Sequence, residues 1–131
     1  MTASEHPLVG VGVVIVSDGA ILLVQRGREP GRGLWAVPGG KVRRGETMRA
    51  AARREAREET GLDVEVGDVI WVGAHIDDEH HLVLIDFAAS VTGGRLVAAD
   101  DADDVRWVPL ADTSGHPLTP TMYDLLDTLR A

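Results

Sequence analysis

Residues 40–62 read GKVRRGETMRAAARREAREETGL, and this stretch decides the fold. The Ala-rich run over 48–60 favours a helix. Thr47 can cap its N-terminus, and Gly61 sits where a left-handed C′ residue belongs. With Glu55 set at zero on that helix, Glu58 falls at about −60° and Glu59 at about +40°. Three carboxylates therefore share one arc and one turn of height. Arg49, Arg53 and Arg57 take the opposite side. Ala51 and Ala52 lie one turn earlier on nearly the carboxylate face, and their small side chains are expected to leave room for something to approach. Two readings fit this clustering. A solvated face tolerates it, because like charges at helical spacing cost only about 0.2–0.5 kcal/mol per pair. A hard-cation site requires it, because Mg²⁺ and Mn²⁺ take oxygen ligands from a few carboxylates, with water and phosphate completing the shell.

The flanking sequence supplies strands. Residues 8–16 read as a buried strand, 17–20 as an Asp-Gly hairpin turn and 21–25 as the returning strand. Residues 26–33 are rich in Gly, Pro and Arg and read as a loop. A short strand over 34–37 is expected to end at Pro38-Gly39-Gly40. Beyond the helix come two β-type runs, 64–76 and 81–91, separated by an acidic turn. Thr92-Gly93-Gly94-Arg95 is expected to be another turn, 100–104 an acidic loop and 105–108 a strand. Thr119-Pro120 opens a last helix through Leu129, with Met122, Leu125, Leu126 and Leu129 as its apolar stripe. The pattern predicts one α+β domain over residues 1–131, without repeats or linkers.

The composition narrows the function classes. Of 131 residues, 44% are hydrophobic and 26% charged, which is the balance of a globular chain. Thirteen Lys and Arg stand against 21 Asp and Glu, for a formal net charge of −8. That sign disfavours nucleic-acid polymers, whose affinity comes largely from phosphate neutralisation. It leaves small phosphorylated ligands open. Cysteine is absent, which excludes disulfides, thiolate catalysis and zinc–thiolate sites. The longest apolar run, 8–16, is far short of the ~20 residues of a membrane span and lacks the flanks of a signal peptide. No membrane partner and a cytoplasmic location are the simplest expectations.

From Gly40 to Leu62 the spacing is Gly40, Glu46, Arg54-Glu55, Glu58-Glu59 and Gly61, with apolar Ala56 and Leu62 at the two intervening positions. This resembles the Nudix box from end to end. The flanking Trp35-x-x-Pro38-Gly39-Gly40 and the terminal helix are similar to the rest of a Nudix domain. Gly40 to Thr47 also has the glycine and threonine spacing of a P-loop, but Glu46 replaces the phosphate-binding lysine and would repel phosphate.

The resemblance implies a Nudix fold, an α/β/α sandwich with a mixed central sheet, a box helix and a C-terminal helix. It implies a metal-dependent pyrophosphohydrolase that cleaves a nucleoside diphosphate linked to another moiety, using Mg²⁺ or Mn²⁺. Carried over by position, Gly40 (through its carbonyl), Glu55, Glu58 and Glu59 are the metal ligands. Glu55, Arg54 and Glu58 are catalytic, Arg54 by orienting a box glutamate, while Glu46 supports the loop–helix geometry. Glu55, or an aspartate among Asp100, Asp101, Asp103 and Asp104, is the candidate general base. An ADP-ribose-like substrate is favoured by overall likeness to small bacterial ADP-ribose pyrophosphatase-like proteins. The proline that often follows the box in ADP-ribose hydrolases is missing, which keeps open a MutT-like hydrolase of ordinary or oxidised nucleoside triphosphates. A nucleotide-binding sensor without turnover is a third possibility, less consistent with an intact box. Either a monomer or a homodimer fits.

Arg26 and Trp35 are candidate substrate contacts, Arg26 for phosphate and Trp35 for base stacking, with core packing as the competing role for the tryptophan. Arg28 and Arg32 sit in the same loop. His80 and His81 point to opposite faces of an extended strand, so at most one can face the site. Trp71 and Trp107 are expected in the core.

Overall fold

A computed structural model describes residues 6–131. Its elements in chain order are β1 (Leu8–Ser17), β2 (Ala20–Arg26), β3 (Trp35–Ala36), β4 (Gly39–Lys41), α1 (Met48–Thr60), β5 (Leu62–Ile76), β6 (His81–Gly94), β7 (Ala102–Pro109) and α2 (Pro120–Arg130). The sheet runs β3-β2-β1-β6-β5, with β4 added to β1 and β7 to β2. Among the ladders between these strands in the described residues, β1–β6 is the parallel one, so the sheet is mixed.

Strand alternation sorts the core into two layers. Val11, Val13 and Ile15 of β1, Leu22 of β2 and Phe87 of β6 pack with Ala51, Ala52 and Ala56 of α1. Val14, Ile21, Leu23 and Val108 point the other way, against Met122, Leu125 and Leu126 of α2. The expected α/β/α sandwich is therefore observed, with one helix on each face. Full burial of each such aliphatic side chain is worth about 1.5–3 kcal/mol relative to leaving it in water. Among the described residues, no helix is long and apolar enough to cross a membrane.

Helix α1 starts and stops where its caps dictate. Thr47 Oγ1 accepts from the Ala50 N–H at 3.1 Å, and Gly61 is left-handed at φ 75° with its N–H donating to the Arg57 carbonyl. Ala51 and Ala52 are fully buried against the sheet, which corrects the expectation of open space beside them. The carboxylate face of α1 overlaps the face that meets the sheet.

Three other expectations change. Gly39 and Gly40 do not simply end a strand; they form β4, pairing antiparallel with Gly12 and Val11. A side chain at Gly39 would run into the Val11 carbonyl, so only glycine permits this approach. Gly93 and Gly94 are not a free turn but the end of β6, paired with Asp63 and Leu62. The acidic loop is shorter than expected, because β7 begins at Ala102 and Asp104 pairs with Gln25. Thr119 precedes α2 as expected but makes no side-chain cap.

Gly39→Ala is expected to cost about 1–3 kcal/mol by forcing β4 away from β1. Urea denaturation checks this, and an unchanged midpoint would show that the close approach is not required.

Candidate active site

The box helix brings its carboxylates to the edge of the sheet beside β4. Glu55 and Glu59 are 9% and 5% exposed, whereas Glu58 stands at the rim. Their burial follows from the packing of α1, since Ala52 and Ala56 on the same side hold this face down. Gly40 lies directly beneath Glu55, and an added Cβ there would fall 2.5 Å from the carboxyl carbon. The missing side chain thus makes a cradle between the β4 backbone and the helix.

Arg54 ties the cradle together. Its Nε and Nη2 donate to the two oxygens of Glu46 at 2.7 and 2.8 Å, a two-pronged pairing. Nη1 donates to Glu55 at 2.7 Å and Glu58 at 3.3 Å, and Nη2 reaches the Lys41 carbonyl at 3.1 Å. The Arg43 backbone N–H donates to Glu46 as well. The Arg54 guanidinium and that N–H hold the Glu46 carboxyl down to about 2. The pairing with Glu46, in turn, raises Arg54 further above its ordinary range.

Burial dominates at the two inner carboxylates. It raises Glu55 against the opposing pull of Arg54, and pushes Glu59 up to about 8 although the Gly39 N–H donates to it at 2.8 Å. Groups of this kind accumulate negative charge readily only when a cation joins them. Three carboxylates beside the Gly40 backbone offer hard oxygen donors, which suits a divalent ion such as Mg²⁺. The residues therefore fit the metal that the motif implies.

These groups line a cleft of about 540 Å³. Arg26, Arg28 and Arg43 line it with them, so the carboxylates face cations suited to phosphate oxygens. Arg28 is, with Arg26 and Arg32, one of the loop arginines that the sequence offers for phosphate, whereas Arg43 is a cleft residue that it did not single out. Arg32 is not part of the lining. Asp100 and Asp101 reach the cleft from the short acidic loop, which the Gly27 N–H pins by donating to the Asp101 carbonyl. Asp101 is paired with Arg28 at 2.8 Å, and Asp104 bonds Arg106 on β7. Asp103 and Asp104 lie outside the cleft lining, which narrows the candidate bases in the loop to Asp100 and Asp101.

Of the paired histidines, His80 lines the cleft and His81 does not. His80 is held by Asp77, which also accepts from His75 at 2.9 Å and from the backbone N–H groups of Glu79 and His80. Trp35 takes the packing role that a short-strand aromatic favours, and its candidacy as a substrate contact is corrected: it is 4% exposed, meets His116 edge-on and lines neither cavity. Its neighbours Ala36 and Val37 face a second cavity instead. Trp107 is corrected in the opposite direction, being 39% exposed on edge strand β7, where alternation turns Val108 inward. Trp71 packs partly buried beside the α2 layer, as expected.

The second cavity, on the α2 face, contains one residue that sequence reasoning passed over. Asp86 is 6% exposed in β6, and burial alone pushes its carboxyl up to about 7. A lone acid inside the apolar run 82–89 was the available signal.

Comparisons with known proteins agree with this fold. A family model described as NUDIX domain matches residues 6–129. The chain is 40% identical over 107 residues to the ADP-ribose pyrophosphatase of Methanocaldococcus jannaschii, a match covering 80% of this chain but only 63% of that relative's length. It is 32% identical over 127 residues to the CTP pyrophosphohydrolase of Escherichia coli, covering 92% of this chain and 90% of the relative. A MutT NUDIX hydrolase from Burkholderia pseudomallei superposes with a TM-score of 0.86 at 37% identity, over 95% of this chain and 99% of its own.

Two outcomes are expected from this arrangement. Arg54→Lys keeps the charge but loses the fork, and should destabilise the fold by about 1–3 kcal/mol in thermal or chemical denaturation. A change under a few tenths would remove Arg54 as the joint. The second outcome concerns pH. Between about pH 4 and 7 the folded chain keeps a proton on Asp86 that the unfolded chain has released, so this stabilisation is full at low pH and fades as pH rises through 7. Arg26 and His75, the other ionisable groups lining that cavity, stay in place in Asp86→Asn. The variant should gain stability relative to the unsubstituted chain as pH rises across this window, and a pH-independent difference would refute the assignment.

Proposed function

The chain belongs to the Nudix family, and from that premise we propose that it is a divalent-metal-dependent pyrophosphohydrolase of a nucleoside diphosphate linked to a further moiety. The observation that carries this reading is the convergence of Glu55, Glu58, Glu59 and the Gly40 backbone on one cleft, faced by Arg26, Arg28 and Arg43. An ADP-ribose-like substrate is favoured, in line with the 40% identical archaeal relative. A nucleoside triphosphate is the second reading, supported by the near full-length match to a CTP pyrophosphohydrolase.

Glu55, Glu58, Glu59 and the Gly40 carbonyl would hold Mg²⁺, with Mn²⁺ as the substitute. What a divalent ion supplies at such a site is neutralisation of phosphate charge and a more acidic water. The remaining work belongs to the chain. Arg26, Arg28 and Arg43, which line the same cleft, bind phosphoryl oxygens and orient the diphosphate, Arg28 and Arg43 from ion pairs with Asp101 and Glu58. Arg54 keeps Glu55 and Glu58 in fixed orientation by its paired hydrogen bonds. The reaction adds water across a P–O–P bridge, so one proton must leave the attacking water. Glu55 takes that proton in our reading, since burial raises its basicity at the place where water must enter. Asp100, which lines the same cleft, is the alternative acceptor. The products are a nucleoside monophosphate and the phosphorylated remainder.

A panel of ADP-ribose and the common nucleoside triphosphates, with Mg²⁺ and with chelator, tests the reading. Turnover of at least one substrate should appear with Mg²⁺ and vanish with chelator. Glu58→Gln and Glu59→Gln should raise the Mg²⁺ concentration needed for half-maximal rate. Glu55→Gln should lower kcat by about 10²–10⁴. Metal-dependent product from none of the panel would sink the enzyme reading, and full activity in Glu55→Gln would pass the proton to Asp100.

A further inference from the structure

We propose that the β5–β6 hairpin carries a metal centre of its own, in which His75, Asp77 and His80 take one divalent transition-metal ion of the Zn²⁺ type. The proposal stands apart from the hydrolase reading, because it uses none of the box residues.

The hairpin brings the three side chains together. His75 is the second-last residue of β5 and His80 directly precedes β6, so the turn over 77–80 folds them toward each other. One ligand atom from each residue lies within 4.8 Å of the other two. Asp77 stands between the rings, with its Oδ2 at 2.9 Å from His75 Nε2 and 3.2 Å from His80 Nδ1. Around a tetrahedral ion with bonds of about 2.0–2.2 Å, ligand atoms stand roughly 3.3–3.6 Å apart. The three side chains therefore reach that geometry by small rotations, with no change of backbone.

Turn formation does not account for the arrangement. The Asp77 N–H donates to the His80 carbonyl at 2.9 Å, and Asp77 Oδ1 accepts from the N–H groups of Glu79 and His80 at 2.8 and 2.7 Å. An aspartate and the backbone are enough to close such a turn. These bonds also fix the carboxylate and leave Oδ2 without a backbone donor. Both imidazoles nevertheless aim a nitrogen at this one carboxylate, with ring centroids 6.2 Å apart.

The donor set selects the ion. Two imidazole nitrogens and one carboxylate oxygen suit Zn²⁺ and its transition-metal neighbours, whereas Mg²⁺ prefers oxygen alone and belongs with the box carboxylates. Each histidine would coordinate as the neutral ring with its proton on the far nitrogen, so the ion takes the place of the hydrogen between ring and carboxylate. The side chains of His75, Asp77 and His80 are 22%, 39% and 32% exposed, which lets an ion enter from solvent and keep water in its remaining position. Asp78 and Glu79, both exposed, add negative potential that draws a cation to this tip. His80 lines the carboxylate cleft and His75 the second cavity, so an occupied centre fixes one wall residue of each.

NMR of the imidazole nitrogens, with Zn²⁺ titrated while Mg²⁺ is in large excess, tests the centre directly. Near-equimolar Zn²⁺ should shift His75 Nε2 and His80 Nδ1 together and leave His116 in place. His75→Ala and Asp77→Asn should each weaken Zn²⁺ binding by at least the roughly tenfold that loss of an outer-shell partner alone costs. Asp77→Asn keeps an oxygen for the turn, and metal-free thermal transitions like that of the unsubstituted chain would show that the hairpin variants are folded. Glu58→Gln should leave the response of both rings to Zn²⁺ unchanged. No shift of the two rings, or a shift only in large excess of Zn²⁺, would overturn the proposal. So would unchanged Zn²⁺ binding in His75→Ala and Asp77→Asn, or loss of the ring response in Glu58→Gln. None of these measurements reads turnover, so failure of this centre and failure of the hydrolase reading are separate results.

Discussion

The guanidinium of Arg54 is the joint on which the site depends. Four glutamates, Glu46, Glu55, Glu58 and Glu59, crowd the end of one helix and the loop before it. A single cation bonds three of them and a backbone carbonyl of β4. Its planar fork does what a point charge cannot, because it fixes the angle between loop and helix while it offsets repulsion. Glu59 is outside this reach and takes the Gly39 N–H instead. The site thus has one carboxylate tied down by charge, two shared between arginine and cleft, and one held by backbone alone.

How much of this was legible depended on whether the signal was local. Both ends of α1 were readable because Thr47 and Gly61 act on their immediate neighbours. The same is true of the carboxylate arc, which follows from helix geometry alone. By contrast, β4 is made by its partner: Gly39 and Gly40 carry no side-chain pattern, and only Val11 and Gly12 beside them turn the segment into a strand. Gly93 and Gly94 misled in the same way, since their turn-like composition is overridden by pairing with Leu62 and Asp63.

Facing was the other hidden quantity. A helical wheel places Ala51 and Ala52 beside the carboxylates but does not say which side meets the sheet. The answer, that the arc itself is half buried, is what raises Glu55 and Glu59. Short strands are worse: β3 is two residues long, so nothing in the sequence told whether Trp35 or Ala36 would look into a cavity. The overall charge was a coarse guide for a related reason. A net −8 describes the whole surface, whereas Arg26, Arg28 and Arg43 bring cations into the lining of one acidic cleft.

Gly39 has a consequence for how such a protein can change over time. It pairs with β1, donates to Glu59 and borders both cavities. Any side chain there disturbs the Glu59 carboxylate and the sheet together, so heritable variation has no route through this wall. It has a route through β6 and the start of α2, where Leu84, Asp86 and Met122 border only the second cavity. A lineage built on this chain can therefore reshape that cavity by altering a strand and a helix, while the Gly39 wall is inherited unchanged.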